Sequence, residues 1–248
     1  MFILYTKDCV STFDSVRLLK YADDTVILGL IHESEEEYRS AVKSFSYWCK
    51  DNFLELNPNK TKEIVFDFRV KKETNPGDHP ICVNGENIEI VESYKYLGTI
   101  IDHKLDWSEH TEYLFKKANQ RLHFLLVLKS FRVDRTIMTL FYSSVIESVI
   151  THDCVVWYNG AKKKDKNALK KVVKQASRLI GQHIDLDQVC EARIVKKADS
   201  VLFNQRYPLH KNYVLMRSGK RWQSVSAKTT RFLNSFVPSS IRLLNTSS

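Results

Sequence analysis

The sequence predicts an α+β protein, with antiparallel hairpins and one helix first, then a helical part, then a basic tail. Three observations predict this. Up to about residue 103, apolar residues stand in short runs separated by turn signals. From Asp106 they recur at helical spacing. From Val201 to the end there are eight Lys/Arg and no Asp or Glu. The expected partition is 1–103, 104–182 and 183–248, the last partly irregular, with the first boundary near Asp102–Asp106.

Taken in order, V-R-L-L-K-Y and T-V-I-L-G-L around Ala22-Asp23-Asp24 read as a tight hairpin. Ser34 and Glu37 have the spacing of a capping box. Tyr38, Val42, Phe45 and Cys49 then share one helix face. Leu54-Glu55-Leu56 leads into the turn Asn57-Pro58-Asn59, and Glu63–Phe68 reads as a strand. Residues 69–80 read as a loop. Ile81–Val83 and Ile88–Ile90 around Asn84-Gly85 form a strong hairpin signal, and Tyr94–Ile101 is another apolar stretch. Leu114, Ala118, Leu122, Leu125 and Lys129 outline a long helix. Arg135–Ile150 is an apolar helix, Lys166–Ile180 a helix basic on one side, and Gly181–Ser200 a weakly signalled one.

Several function classes drop out. The 248 residues are enough for one large or two small domains, and 43% hydrophobic content argues against wholesale disorder. The five cysteines (Cys9, Cys49, Cys82, Cys154, Cys190) are odd in number, widely spaced and without C-x-x-C. That is neither a disulfide framework nor a zinc site, and it predicts a reducing, intracellular setting with no disulfide-linked partner. The five apolar residues Met1–Tyr5 are too few for a signal peptide, and no run approaches a membrane span, so neither a leader nor a membrane partner is expected. Neither G-x-G-x-x-G nor a P-loop occurs. The net charge of +9 hides an asymmetry: residues 1–100 hold 12 Lys/Arg against 17 Asp/Glu, and residues 101–248 hold 26 against 12. A polyanionic partner for the second part follows.

Chemistry concentrates at Tyr21-Ala22-Asp23-Asp24. Two adjacent carboxylates at an apolar hairpin tip repel each other, and apolar neighbours are expected to desolvate them. A divalent cation would remove that cost, and hard oxygens suit Mg²⁺. Two such ions about 4 Å apart stabilise an in-line phosphoryl transfer. The plain alternative is a solvated turn pair.

Y-A-D-D within L-L-K-Y-A-D-D-T-V-I-L resembles the palm signature of reverse transcriptases, most closely those of non-LTR (LINE-type) retrotransposons. L-E-L-N-P-N-K-T at Leu54–Thr61 resembles that family's L-x-L-N-x-x-K-T element. Y-K-Y-L-G at Tyr94–Gly98 resembles its primer-grip element, and R-F-L-N-S-F-V-P with I-R-L-L-N resembles the ending of some members. The resemblance implies catalytic, metal-binding carboxylates at Asp23 and Asp24 with Mg²⁺, and a nucleotide site shaped by Tyr21 and Lys60. It implies a primer-holding hairpin at Tyr96, Leu97 and Gly98. It also implies an RNA template and a DNA primer as partners, in the nucleus or the cytoplasm.

In the family a third catalytic Asp stands well upstream of Y-A-D-D, and only about 20 residues precede the motif here. The expected fold is therefore a truncated palm remnant, a helical thumb-like region and a basic tail. Such a chain is expected to lack polymerase activity alone. The helices after the primer grip would follow the duplex, with Lys116, Lys117, Arg121, Lys162, Lys163, Lys164, Lys170 and Lys171 as phosphate contacts. Trp157, Tyr158, Trp222, Phe232 and Phe236 are candidates for stacking on bases. Two other readings stand beside this one. The chain could be a nucleic-acid-binding or vestigial retroelement product without catalysis. Residues about 140–180 also resemble a helical segment at the N-terminus of AlkB-homologue proteins, and His183-Ile184-Asp185 gives an H-x-D that could open an iron facial triad.

Overall fold

Val16–Tyr21 (β1) and Asp24–Gly29 (β2) pair antiparallel, with Tyr21 opposite Asp24 and only Ala22-Asp23 between them. The period of two sorts the ribbon. Val16, Leu18 and Ile27 fall on the face toward the core, and Leu19, Tyr21 and Leu28 are exposed on the other. This ribbon opens a computed structural model that describes residues 5–31, 34–69 and 80–246. By its internal contacts the chain divides into two compact units, 1–92 and 93–248. The division falls eleven residues before the expected end at 103, so the Y-K-Y-L-G segment belongs to the helical unit.

In the first unit the helix Glu36–Asp51 (α1) buries Ala41, Val42 and Cys49. The expected capping box does not form: the helix starts after Glu35, which makes no side-chain cap bond. The Ser34 hydroxyl accepts from the Glu36 N–H at 3.1 Å, but the Glu37 carboxylate accepts from the Ser15 hydroxyl instead of turning back on the chain. Gly29 faces the Tyr38 ring so closely that a Cβ would stand 2.7 Å from it, which explains a glycine at the end of β2. Val42, Ile81, Val83 and Ile88 form the small core, joined by Ile27, Tyr38 and Leu56.

The strand expected over Glu63–Phe68 is reduced to Lys62–Glu63 (β3). It pairs in parallel with Glu89–Ile90 (β6). Phe66 and Phe68 are exposed: β propensity makes a strand only where a neighbouring edge can pair with it. Most of the predicted loop at 69–80 lies outside the described residues. Cys82–Val83 (β4) and Glu86–Asn87 (β5) pair antiparallel around Asn84-Gly85. Both turn residues have positive φ, 53° and 85°, as a two-residue type I′ turn requires. Among the described residues the ribbons are separate two-stranded pairs, three antiparallel and one parallel, and not one palm-like sheet.

The second unit begins with Ser93–Tyr96 (β7) and Thr99–Asp102 (β8), another antiparallel hairpin. Its helices are Ser108–Ser130 (α2), Arg135–Phe141 (α3), Ser148–Ile150 (α4), Cys154–Trp157 (α5), Lys163–Ile180 (α6) and Leu186–Phe203 (α7). The apolar stripe of α2 is buried as predicted, at Leu114, Ala118, Leu122 and Leu125. On α6 the buried stripe is Leu169, Val172, Val173, Ala176 and Ile180. Each fully buried leucine, isoleucine or valine among them contributes roughly 1.5–3 kcal/mol. Gly181 ends α6 in the left-handed region, φ 70°.

Between α3 and α4, Tyr142–Glu147 forms a π-helical turn. Its cause lies in the spacing. Met138, Tyr142, Ile146 and Ile150 are all buried and stand four apart. An α-helix turns every 3.6 residues, so a strict four-residue stripe winds off its face. The wider π turn brings the stripe back to the core.

The tail is more ordered than its composition suggests. Thr230–Leu233 (α8) is capped by the Thr229 hydroxyl, which accepts from the Phe232 N–H at 3.3 Å. Phe236–Thr246 (α9) packs Ile241 with Ala198, Val201 and Tyr213 as a separate small core. All five cysteines are free thiols. Among the described residues no helix is long and apolar enough to cross a membrane.

Candidate nucleic-acid interface

The Y-A-D-D turn is exposed at every position, Tyr21 through Asp24. This corrects the expectation that strand neighbours desolvate the carboxylates. A two-residue turn carries them past the ends of both strands, beyond the reach of the apolar side chains. Ala22 sits at φ 51°, a conformation L-residues avoid at a cost of about 1–2 kcal/mol. Among the described residues no group of three or more His, Cys, Asp or Glu could hold a metal ion. Two adjacent exposed carboxylates without a third donor among the described residues do not by themselves fit a resident Mg²⁺.

Lys60 lies in the same unit, on a turn organised by Asn57. The Lys60 N–H donates to the Asn57 carbonyl at 3.1 Å and the Thr61 hydroxyl donates to the same carbonyl at 2.9 Å. The N-P-N-K-T spelling thus serves the turn itself.

Tyr96, Leu97 and Gly98 lie in the second unit, at the tip of the β7–β8 hairpin. Leu97 and Gly98 have φ of 46° and 91°. The tip is docked on the helices. His152 Nε2 stands 3.0 Å from the Leu97 carbonyl oxygen, and the Thr99 hydroxyl donates to Asp153 at 3.0 Å. Behind them His110 is fully buried, and its Nδ1 accepts from the Ile100 N–H at 3.2 Å. Burial, and secondarily the neighbouring His152, push His110 down to about 4, so its ring is neutral at pH 7.

On the outer side of the hairpin, Lys95 from β7 and Lys117 from α2 both sit over the Tyr113 ring, 4.7 and 4.8 Å from its centre. Lys95 also donates to the Tyr113 hydroxyl at 2.8 Å. The two ammonium groups hold that phenol below the usual tyrosine range. Lys95 was not among the residues singled out by sequence; alternation in S-Y-K-Y, with Lys95 flanked by two tyrosines, was the available signal.

Apart from Lys117, which sits over Tyr113, the predicted phosphate contacts divide into two groups. Lys116 pairs with Glu112 at 2.7 Å and Lys162 with Asp106 at 2.7 Å. Lys170 pairs with Asp187, which also accepts from the Tyr158 hydroxyl at 2.6 Å, so this cluster fastens α6 to α7. Arg121 donates to the Val145 carbonyl inside the π turn. Lys162, Lys170 and Arg121 thus tie parts of the fold together, while the exposed Lys116–Glu112 pair lies within one helix. Trp157 and Tyr158 are core residues rather than stacking platforms.

Lys163, Lys164 and Lys171 are exposed and, among the described residues, have no carboxylate partner. With Lys174 and Arg178 they are the outer face of α6. Lys164, Lys171, Lys174 and Arg178 recur at intervals of seven, three and four, one stripe of about 21 Å. That length spans several phosphates of a nucleic-acid strand.

The H-x-D pair resolves as structure. The Asp185 side chain accepts from the Asp187 N–H at 2.9 Å and caps α7.

Comparison with known proteins follows the same lines. The chain is 26% identical over 169 residues to the probable RNA-directed DNA polymerase from transposon BS of Drosophila melanogaster, covering 66% of this chain and 18% of that protein. It is 20% identical over 166 residues to the probable RNA-directed DNA polymerase from transposon X-element of the same organism, covering 63% and 18%. To the RNA-directed DNA polymerase from mobile element jockey, also of Drosophila melanogaster, it is 20% identical over 240 residues, covering 94% and 24%. The matched region thus spans about a fifth to a quarter of these relatives' length. A family model described as alkylated DNA repair protein alkB homolog 8, N-terminal, matches residues 107–148, on α2 through the π turn. That is earlier than the 140–180 expected, and it excludes the H-x-D. No solved structure matches.

Proposed function

We propose that this chain is the part of a retrotransposon RNA-directed DNA polymerase that holds the template–primer, corresponding to the end of the palm, the thumb and the region beyond. The α6 stripe of exposed cations without carboxylate partners carries the reading. It supports salt-sensitive, sequence-independent contact with a phosphate backbone. Similarity to three mobile-element polymerases supports the class of nucleic acid, an RNA template with a DNA primer.

In this reading the β7–β8 hairpin steadies the primer strand while α6 tracks the duplex. Tyr21, Asp23, Asp24 and Lys60 belong to a polymerase site that needs further carboxylates from outside the described residues. The residues present therefore bind nucleic acid without extending a primer. Two measurements on the purified chain test this. An RNA–DNA hybrid should bind with an affinity that falls steeply as salt rises, and Lys164→Gln/Lys171→Gln/Lys174→Gln should flatten that slope. Primer extension with Mg²⁺ and an RNA template should give no product. Salt-independent binding, or robust extension, overturns the proposal.

A further inference from the structure

The tail holds a second cationic surface built on a different device. Val214–Gln223 folds back on itself. Leu215 bridges Trp222, the Gln223 N–H donates to the Val214 carbonyl at 2.7 Å and the Met216 N–H to the Arg221 carbonyl at 2.8 Å. At the tip, Arg217-Ser218-Gly219-Lys220-Arg221 turns through Gly219 at φ 69°. Three cations stand within five residues, all exposed and, among the described residues, without a carboxylate partner.

A ribbon this short is marginal on its own, and the chain spends a specific contact on holding it. The Asn245 side chain on α9 meets both backbone groups of Trp222. Its Oδ1 accepts from the Trp222 N–H at 2.8 Å, and its Nδ2 donates to the Trp222 carbonyl at 3.0 Å. One side-chain amide thus acts as a neighbouring strand would. The Trp222 ring packs edge-on against buried Tyr213, at 6.0 Å. The loop is anchored at its base and open at its tip, where a Cβ on Gly219 would meet nothing within 4 Å.

We infer that this ribbon is a nucleic-acid-binding finger, separate from the α6 stripe. Like charges gathered on a fixed loop repel one another, and a polyanion relieves that repulsion. Two arginines in the loop favour phosphate, which a guanidinium meets with two parallel hydrogen bonds. A two-stranded ribbon also has the dimensions to enter a duplex groove. The acid-free tail extends the field, and Arg231 stands beside exposed Phe232, a pairing suited to backbone and base together. The inference rests on this ribbon alone and does not require the polymerase reading.

The test uses the full chain with Arg217→Gln/Lys220→Gln/Arg221→Gln, and separately the α6 triple variant. Binding to duplex DNA, an RNA–DNA hybrid and single-stranded RNA is followed across a salt series, beside vesicles of anionic lipid. The finger variant should bind nucleic acid at least tenfold more weakly and lose about two to three from the salt slope. Its circular dichroism should be unchanged, and Arg217→Lys/Arg221→Lys should keep the slope. An unchanged slope in the finger variant with loss in the α6 variant overturns the finger and leaves the template–primer reading standing. Binding to vesicles but not to nucleic acid overturns both.

Discussion

Gly98 lies so close to His152 that a Cβ at Gly98 would stand 2.9 Å from Nε2 of the imidazole. The same nitrogen is 3.0 Å from the carbonyl oxygen of Leu97, the other turn residue. The Y-L-G turn therefore needs its glycine twice, for the positive φ and for the ring against it. Gly98→Ala should cost about 1–3 kcal/mol in urea unfolding. In a His152→Ala background the cost should shrink toward the φ penalty alone. Equal costs in both backgrounds would show that the contact has no energetic weight.

His110 predicts a pH dependence. Its folded-state value is pushed down to about 4, against about 6.5 unfolded. Between these values the unfolded chain binds the extra proton, so stability falls as pH drops from about 6.5 toward 4, by up to about 3 kcal/mol. Glu63, whose carboxyl is raised mainly by burial, runs the other way over an acidic range. The loss between pH 6.5 and 5 should be present in the wild-type chain and absent in His110→Gln, read as the difference between their unfolding free energies.

Arg121 should behave as a fold residue. Arg121→Met leaves the Val145 carbonyl without its donor, at a cost of about 1–3 kcal/mol. The salt slope of nucleic-acid binding should not change. A lower slope with unaltered stability would return Arg121 to the phosphate contacts.

At the Y-A-D-D turn the expected effects differ between neighbouring residues. Ala22→Gly should stabilise the chain by up to about 1 kcal/mol, because glycine carries no penalty at φ 51°. Asp23→Asn and Asp24→Asn, both exposed, should change stability by no more than about 0.5 kcal/mol. Thermal and urea unfolding of the three variants would check this.

Local signals reached some elements and not others. Asn84-Gly85 marked its hairpin because few residue pairs adopt that turn, and the helical stripe of α2 was legible because one continuous core faces it. The pairing of β3 with β6 was not, since a two-residue parallel bridge leaves no periodicity. Among the candidate cations, sequence could name lysines but not their partners. The Glu112–Lys116 pair follows from i,i+4 spacing on one helix, whereas Asp106 and Asp187 take Lys162 and Lys170 through tertiary packing alone. The Asn245 clamp was equally invisible, an ordinary helix residue whose partner stands 23 positions earlier.

The π turn makes chain length between Met138 and Ile150 a structural variable in its own right. Removing one residue from Tyr142–Glu147 would leave Met138 and Ile150 eleven positions apart, about three turns of an ordinary α-helix, so the segment would relax to an α-helix with Ile150 still facing the core. Ile150, fully buried, would keep its place, and the turn bearing His152 and Asp153 would stay at the hairpin it holds. A one-residue deletion here should therefore be far less damaging than one in the middle of α2, where no extra residue is stored and the buried stripe would turn by about 100°.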